Sequence, residues 1–333
     1  LVWYKKRGEI MQIFSKDKTY DFMSKSIPFL LLSVILIIAS YVMIFSKGLN
    51  YGIDFAGGTI VQVKYEGKAP IKEMRKKISV DKMFANATIT EFGSPDEVVI
   101  RFMSTSDSVQ EDVSDKITKL LQGTGKFEVR RVDIVGPKVG GELREKGLMA
   151  MVVSIIAILI YITFRFEWRF AVASIIALVH DISIAVGAIV FFNVDVNLDI
   201  LAALLTLLGY SLNDTIIVFD RIREEVRNSK SFDLFEIINY SISKTLSRTL
   251  LTSLTTFFVI LTLWAFGGEI IHGFGLTLLV GIIVGTYSSI FVASPILKWL
   301  NFSVEDYKKK EAIKEKRRIE KEKMRAQYEQ GIV

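Results

Sequence analysis

The 333-residue chain contains no cysteine, which excludes a disulfide framework and any thiolate metal site. It has no HExxH or GxSxG sequence and no cluster of side chains at metal-ligand spacing. Protease, hydrolase and metalloenzyme readings therefore have no support. Gly123-Thr124-Gly125-Lys126 imitates the end of a P-loop, but Leu120 stands where that loop needs its first glycine and Phe127 where it needs Ser or Thr. ATP binding through it is excluded. The apolar core of a secretory signal peptide runs about 7 to 15 residues before a small-residue cleavage site. The first apolar run here is longer and reads as an uncleaved anchor.

Long apolar runs are present in quantity. Half of the residues are hydrophobic (50%), and they gather in blocks instead of alternating with polar ones. Six blocks, at 27–45, 148–164, 170–192, 198–219, 250–266 and 274–297, approach the roughly 20 helical residues that cross about 30 Å of hydrocarbon. The net charge of +6 does not form a stripe suited to nucleic acid; it sits at the ends of these blocks. Lys5, Lys6, Arg7, Lys16, Lys18 and Lys25 precede the first block, Arg165 and Arg169 separate the second and third, and Arg221, Arg223 and Arg227 follow the fourth. The positive-inside rule makes these segments cytoplasmic. The loops at 193–197, with Asp195, and 267–273, with Glu269, then lie outside, and both termini inside.

The predicted organisation is a cytoplasmic segment over 1–26, a first span over 27–46, an outer domain over 47–146, five further spans over 147–298 and a charged cytoplasmic tail over 299–333. In the outer domain, β-branched alternation predicts strands at 59–65, 88–92, 98–103 and 127–132. Apolar spacing predicts helices at 71–78 and 109–121, the second carried by Val109, Val113, Ile117, Leu120 and Leu121. The order βαββαβ is that of an α+β ferredoxin-like domain, an antiparallel sheet with both helices on one face. Residues 231–245, with Leu234, Phe235, Ile238 and Ile242, read as an amphipathic helix on the inner membrane face. The Lys, Arg and Glu-rich tail reads as a solvated helix or disordered anchor, with ribosome or anionic-lipid contact as the alternative.

Ionisable residues inside the apolar blocks are few and therefore informative, because a charge at the bilayer centre is expensive. His180 and Asp181 lie about 15 Å into the third block, near the midplane. Asn213 and Asp214 lie in the fourth block, about two turns before Asp220. Arg248 stands at the start of the fifth, at a depth matching Asp214. An Asp214–Arg248 ion pair that parts on protonation would be a two-state element for an ion gradient to drive. The alternative is a snorkelling Arg248 and a hydrogen-bonded, structural Asp214. His180–Asp181 reads equally as a proton station or as a packed, hydrogen-bonded pair. Gly281 and Gly285 form a small-xxx-small pair that allows close helix contact.

Several motifs together carry a resemblance: GIDFAGGT from Gly52, GPKVGGELREKG from Gly136, the His180-Asp181 pair, VNLDILAALLTLLGYSLNDTIIVFDRIRE from Val196, and SRTLLTSLTT from Ser247. Over nearly the whole chain apart from the tail and the outer-domain interior, the sequence resembles the SecF group of the SecD/SecF family, within the RND-type superfamily. That resemblance implies an all-α bundle of six transmembrane helices forming an RND half-unit, in a multi-pass protein of the bacterial inner membrane. It further implies a non-enzymatic subunit without cofactors that works with a SecD-like subunit, the Sec translocon channel, a translocating polypeptide and membrane lipids, driven by the proton motive force. Sodium stays open as the coupling ion. Carried over by position, Asp214 and Arg248 fall on residues the family uses in proton passage, His180 and Asp181 on its HD motif. Gly52, Asp54, Gly57 and Gly58 shape the exit from the first span, where glycine permits tight turns; Gly136 and Pro137 open the second motif. Half of a small-molecule or lipid exporter, and a non-energised scaffold of the translocon, are the competing readings.

Overall fold

The structure is a computed structural model that describes residues 18–84, 87–102 and 110–329. The predicted cytoplasmic cations Lys5, Lys6, Arg7 and Lys16 lie outside the described residues, as do the predicted strand end at Met103 and helix start at Val109.

Among the described residues, six helical segments are long and apolar enough to cross a membrane. Helix α1 covers Ser26–Lys47, about 33 Å at 1.5 Å per residue, enough for the hydrocarbon core. After the outer domain come α5 (Pro137–Arg165), α6 (Trp168–Phe191), α7 (Leu198–Asn228) and α8 (Leu234–Phe266). The last crossing is α9 (Glu269–Ser288), a π-helical turn at Ser289–Ala293 and α10 (Ser294–Trp299). Several of these helices outrun the apolar blocks that predict them, because polar turns continue the helix beyond the greasy core. Thus GPKVGG forms the first turns of α5, with Pro137 at the helix start, where its missing N–H costs nothing.

The segment expected as a separate interfacial helix at 231–245 differs most. It is the beginning of α8, one continuous 33-residue helix, because neither Gly nor Pro interrupts residues 234–266. Its buried Ile237, Ile238 and Ile242 join the bundle core together with Phe170, Phe219 and Ile222. Met23 before α1 and Phe302 and Tyr307 after α10 close that core at one end.

Inside the bundle, α9 contacts α6, α7 and α8. Outward residues of α1, α5 and α8 such as Ile35, Phe164 and Val259 are exposed, as a lipid-facing surface requires. The glycine pair does what its spacing suggests. A Cβ at Gly281 would run into the Leu207 side chain, and one at Gly285 would sit 3.1 Å from Ser211 Cβ, so α9 lies close against α7 at Ser211.

The outer domain holds the short α2 (Ile53–Ala56), β1 (Gly58–Tyr65), α3 (Ile71–Ile78), β2 (Thr88–Phe92), β3 (Ser94–Phe102), α4 (Gln110–Leu121) and β4 (Phe127–Val135). The sheet order is β2-β3-β1-β4, with every neighbouring pair antiparallel. This is the ferredoxin-like arrangement. Alternation along β1 sends Val61, Val63 and Tyr65 to the helix-covered face, where they meet Met74, Ile78, Val113, Ile117 and Leu121. The opposite face is polar: Gln62 donates to Glu97 at 2.8 Å, and Lys64 pairs with Asp96 at 3.6 Å. The charged tail is helical, α11 (Val304–Glu329). Its first turns are tied to the bundle by Lys308 donating to the Ser229 carbonyl at 2.6 Å and Arg223 to the Tyr307 hydroxyl at 3.2 Å.

Candidate functional site

Among the described residues, two carboxylates are buried within the bundle. Asp181, on α6, is fully buried, and His180 Nδ1 lies 2.7 Å from its Oδ1. Its Oδ2 accepts from two hydroxyls, Ser211 on α7 and Ser288 on α9, the latter at 2.8 Å. Three helices thus converge on one carboxylate. Asp214 is one turn beyond Ser211 on α7, and its Oδ2 accepts from Ser253 on α8 at 3.0 Å. Ser253 in turn accepts from Thr286 on α9 at 2.7 Å. The two carboxylates are therefore linked through α7 and α9: Ser211 and Asp214 lie one turn apart on α7, and Thr286, which donates to the Ser253 that serves Asp214, lies two positions before Ser288 on α9.

Local sequence explains how α9 serves both. Gly285 lets it approach Ser211, and the helix widens into its π-turn immediately after Ser288. Pro295, with no N–H to donate, prevents a regular ladder across that turn, and the Ser294 hydroxyl donates instead to the Ser289 carbonyl at 2.9 Å. Single π-turns of this kind concentrate at functional sites.

The expected Asp214–Arg248 ion pair is not formed. Arg248 is exposed and makes no ion pair among the described residues, while Asp214 is buried. The reason is rotation about the α8 axis. Arg248 precedes Ser253, the residue that reaches Asp214, by five positions, which turns the two side chains about 140° apart at 3.6 residues per turn. Asn213 is exposed too. The Tyr210 hydroxyl reaches the Thr252 carbonyl across α7 and α8 at 3.4 Å. Asn213 and Arg248, both exposed, each lie one turn to the same side of that contact and therefore at a similar depth.

The glycine motifs meet at the other end of the bundle. Val196 N–H donates to the Asn50 carbonyl at 2.7 Å and Gly52 N–H to the Val196 carbonyl at 2.8 Å. Asp54 accepts from Leu198 N–H at 3.0 Å, and Asn197 caps α7 through Ile200 N–H. Gly57, at φ 76°, lies where a Cβ would come 2.7 Å from Pro137 Cα, and Gly140 where one would come 2.9 Å from Gly57 N. Gly58 opens β1 against the Phe102 carbonyl, while Gly136 has open space around it. Asp195 completes the junction by accepting from Asn50 and pairing with Arg101 of β3. Sequence reasoning missed this ion pair, although Asp195 is the only charged residue of its loop. It also missed Ser211, Ser253, Thr286 and Ser288, whose one signal was hydroxyl side chains within apolar runs.

Asp195→Ala is expected to loosen the junction and leave global stability nearly unchanged, because a part-exposed pair is worth little, about 1 kcal/mol or less. Hydrogen exchange at the 193–198 amides should quicken about tenfold. Unchanged exchange there shows that the backbone bonds alone hold the domain.

The described residues hold no group of three or more His, Asp and Glu able to bind a metal ion. Comparison with known proteins accounts for the rest of the pattern. Residues 116–303 match the family described as protein export membrane protein SecD/SecF, C-terminal, and residues 42–69 match the SecD/SecF GG motif. The protein translocase subunit SecF of Helicobacter pylori is 47% identical over 97% of this chain and 100% of that protein. The SecF of Vibrio alginolyticus is 46% identical over 86% and 91%. The crystal structure of SecDF from Thermus thermophilus, a translocon-associated membrane protein, superposes with a TM-score of 0.78 at 37% identity, covering 89% of this chain. SecDF in its super-membrane-facing form gives 0.66 at 36% identity, covering 92%. The chain spans only 41% and 42% of those two solved chains. With six apolar helices, a ferredoxin-like outer domain, and two family motifs joined at one junction, this integral membrane chain belongs to the SecD/SecF family of protein export membrane proteins.

Proposed function

We propose that the chain is the SecF half of a Sec protein-export motor, paired with a SecD-like subunit beside the translocon channel and using the proton motive force to promote passage of a polypeptide. The observation that carries this reading is the pair of buried carboxylates, Asp181 and Asp214, each held by hydroxyls from neighbouring helices. Hydroxyls both donate and accept, so they can pass a proton to and from a carboxylate, and intramembrane carboxylate–histidine chains of this composition serve as proton relays. Because the hydroxyls come from α7, α8 and α9, a change in carboxylate charge alters bonds between helices. That is a local event with a bundle-wide consequence. Outside the membrane, the junction at Gly52, Asp54, Gly57 and Pro137 transmits a shift of α5 or α7 to the outer domain. That domain acts on the emerging chain.

The coverage of fused SecDF chains by less than half supports a second half contributed by another subunit. Asn213 and Arg248, both exposed at a similar depth of the bundle, support the same view, since polar side chains at this depth face protein or water. In this reading Arg248 meets the SecD-like half and approaches Asp214 only when the bundle rearranges. Both termini lie on the cytoplasmic side by the charge asymmetry of the loops.

The test is proton flux in vesicles containing this chain and its SecD-like partner. Asp181→Asn retains the shape and can still accept from Ser211 and Ser288, but cannot exchange a proton. Flux is expected to drop to background with the complex intact; undiminished flux removes the relay. Arg248→Gln is expected to weaken flux only in the paired complex, and reduced copurification of the partner identifies its contact role.

A further inference from the structure

The side of the bundle formed by α1, α6 and α10 carries a groove of about 470 Å³. Its walls include Ile27, Leu31, Val34, Ile176, Val179 and Trp299, and apart from Ser33 and His180 every lining residue is apolar. Along α1 it extends from Ile27 to Ile37, ten residues or about 15 Å, the depth of one leaflet of hydrocarbon. Its deep end is His180, which is 3% exposed and whose Nε2 has no hydrogen-bond partner among the described residues. At its mouth is Trp299, the kind of residue that sits at headgroup level; the exposed Lys25 and Lys298 lie close to the lining residues Ile27 and Trp299 in sequence. Lys298 Nζ stacks 4.0 Å over the Phe235 ring. No acidic residue lines the groove.

We propose that this groove is a phospholipid site, holding one acyl chain from the leaflet that surrounds the N-terminus of α1, with the anionic headgroup against Lys25 and Lys298. An apolar recess immersed in lipid loses its dispersion contacts if left empty. Its one-leaflet length and almost wholly apolar lining suit a single acyl chain. The two cations add attraction for a negative headgroup. A resident chain also keeps water from His180 Nε2, leaving Asp181 as the imidazole's one hydrogen-bonding partner, so the site places a lipid beside the carboxylate network. The site depends on membrane immersion alone and stands whether or not the proton relay does.

Native mass spectrometry of the full chain in detergent, titrated with dioleoylphosphatidylglycerol, tests it. One lipid is expected to be retained about tenfold more tightly than dioleoylphosphatidylethanolamine. Val34→Phe and Ile176→Phe, which fill the groove from different helices, are each expected to weaken retention about tenfold. Leu254→Phe, on the exposed side of α8, should leave it unchanged. Combining Lys25→Gln with Lys298→Gln should erase the headgroup preference. Retention untouched by both filling variants, or weakened equally by Leu254→Phe, overturns the site. A preference surviving the double glutamine variant overturns the headgroup assignment. A polypeptide captured by a photo-crosslinker at Val34 in native membranes overturns the occupant.

Discussion

Asp214→Asn is expected to abolish proton-dependent export while the variant still assembles with its partner. The substitution changes one atom of a side chain that is 1% exposed and keeps a carbonyl oxygen to accept from Ser253. Packing is preserved; proton uptake is not. A positioned proton-transferring side chain contributes on the order of a hundredfold to a rate, and a loss of that size is expected in gradient-driven export. Ser253→Ala should do less, since it removes two hydrogen bonds, one to Asp214 and one from Thr286, each worth about 1 kcal/mol, and leaves the carboxylate in place. An Asp214→Asn complex that exports at the parental rate under a proton gradient would dispose of the relay at this position.

Gly57→Ala is expected to be among the most damaging substitutions to the fold. Gly57 has φ 76°, in the left-handed region, and its Cβ would stand 2.7 Å from Pro137 Cα and 2.9 Å from Pro137 N. Those neighbours are backbone of the α5 start, with no flexible tip to move aside. Left-handed strain and overpacking together amount to about 2–5 kcal/mol. The purified chain should lose thermal stability and be cut more readily by protease between α1 and the outer domain. Gly67→Ala is the matched control, because nothing lies within 4 Å of its Cβ position. If the two variants melt together, the close approach of α2 and α5 does not hold the junction.

The two predictions concern the middle of the bundle and the end that meets the outer domain, and the proposed mechanism needs both. In that mechanism, charge changes at Asp181 and Asp214 act on α6, α7, α8 and α9. The start of α7 is bonded to Asp54, and the start of α5 is packed against Gly57. Movement of either helix therefore reaches the outer domain through short, stiff contacts.

Much of the architecture was legible because it is written in local periodicity. A run of about 20 apolar residues has one low-energy solution in lipid, a helix whose backbone bonds are all internal. Alternation at 61, 63 and 65 and the spacing of Val113, Ile117 and Leu121 each commit a segment to one buried face. The amphipathic start of α8 was misplaced since the same periodicity suits a helix lying on a membrane and one entering a bundle. Depth along the membrane could be counted, which put Asp214 and Arg248 at one level. Azimuth between helices could not, and there the expected pair fails, with Arg248 outward and Asp214 inward.

Alone, the sequence determined that this chain has six runs long and apolar enough to cross a membrane, carries one βαββαβ domain and places the carboxylates Asp181 and Asp214 within apolar helices, since hydropathy and period are properties of consecutive residues. Tertiary structure alone decided who attends those carboxylates. Ser211, Ser288, Ser253 and Thr286 are ordinary helical hydroxyls until glycine-permitted packing and a π-turn bring them to Asp181 and Asp214, and Arg101 meets Asp195 only across 94 positions of chain. Contacts between distant segments depend on how helices are rotated and stacked, a quantity no stretch of neighbouring residues encodes.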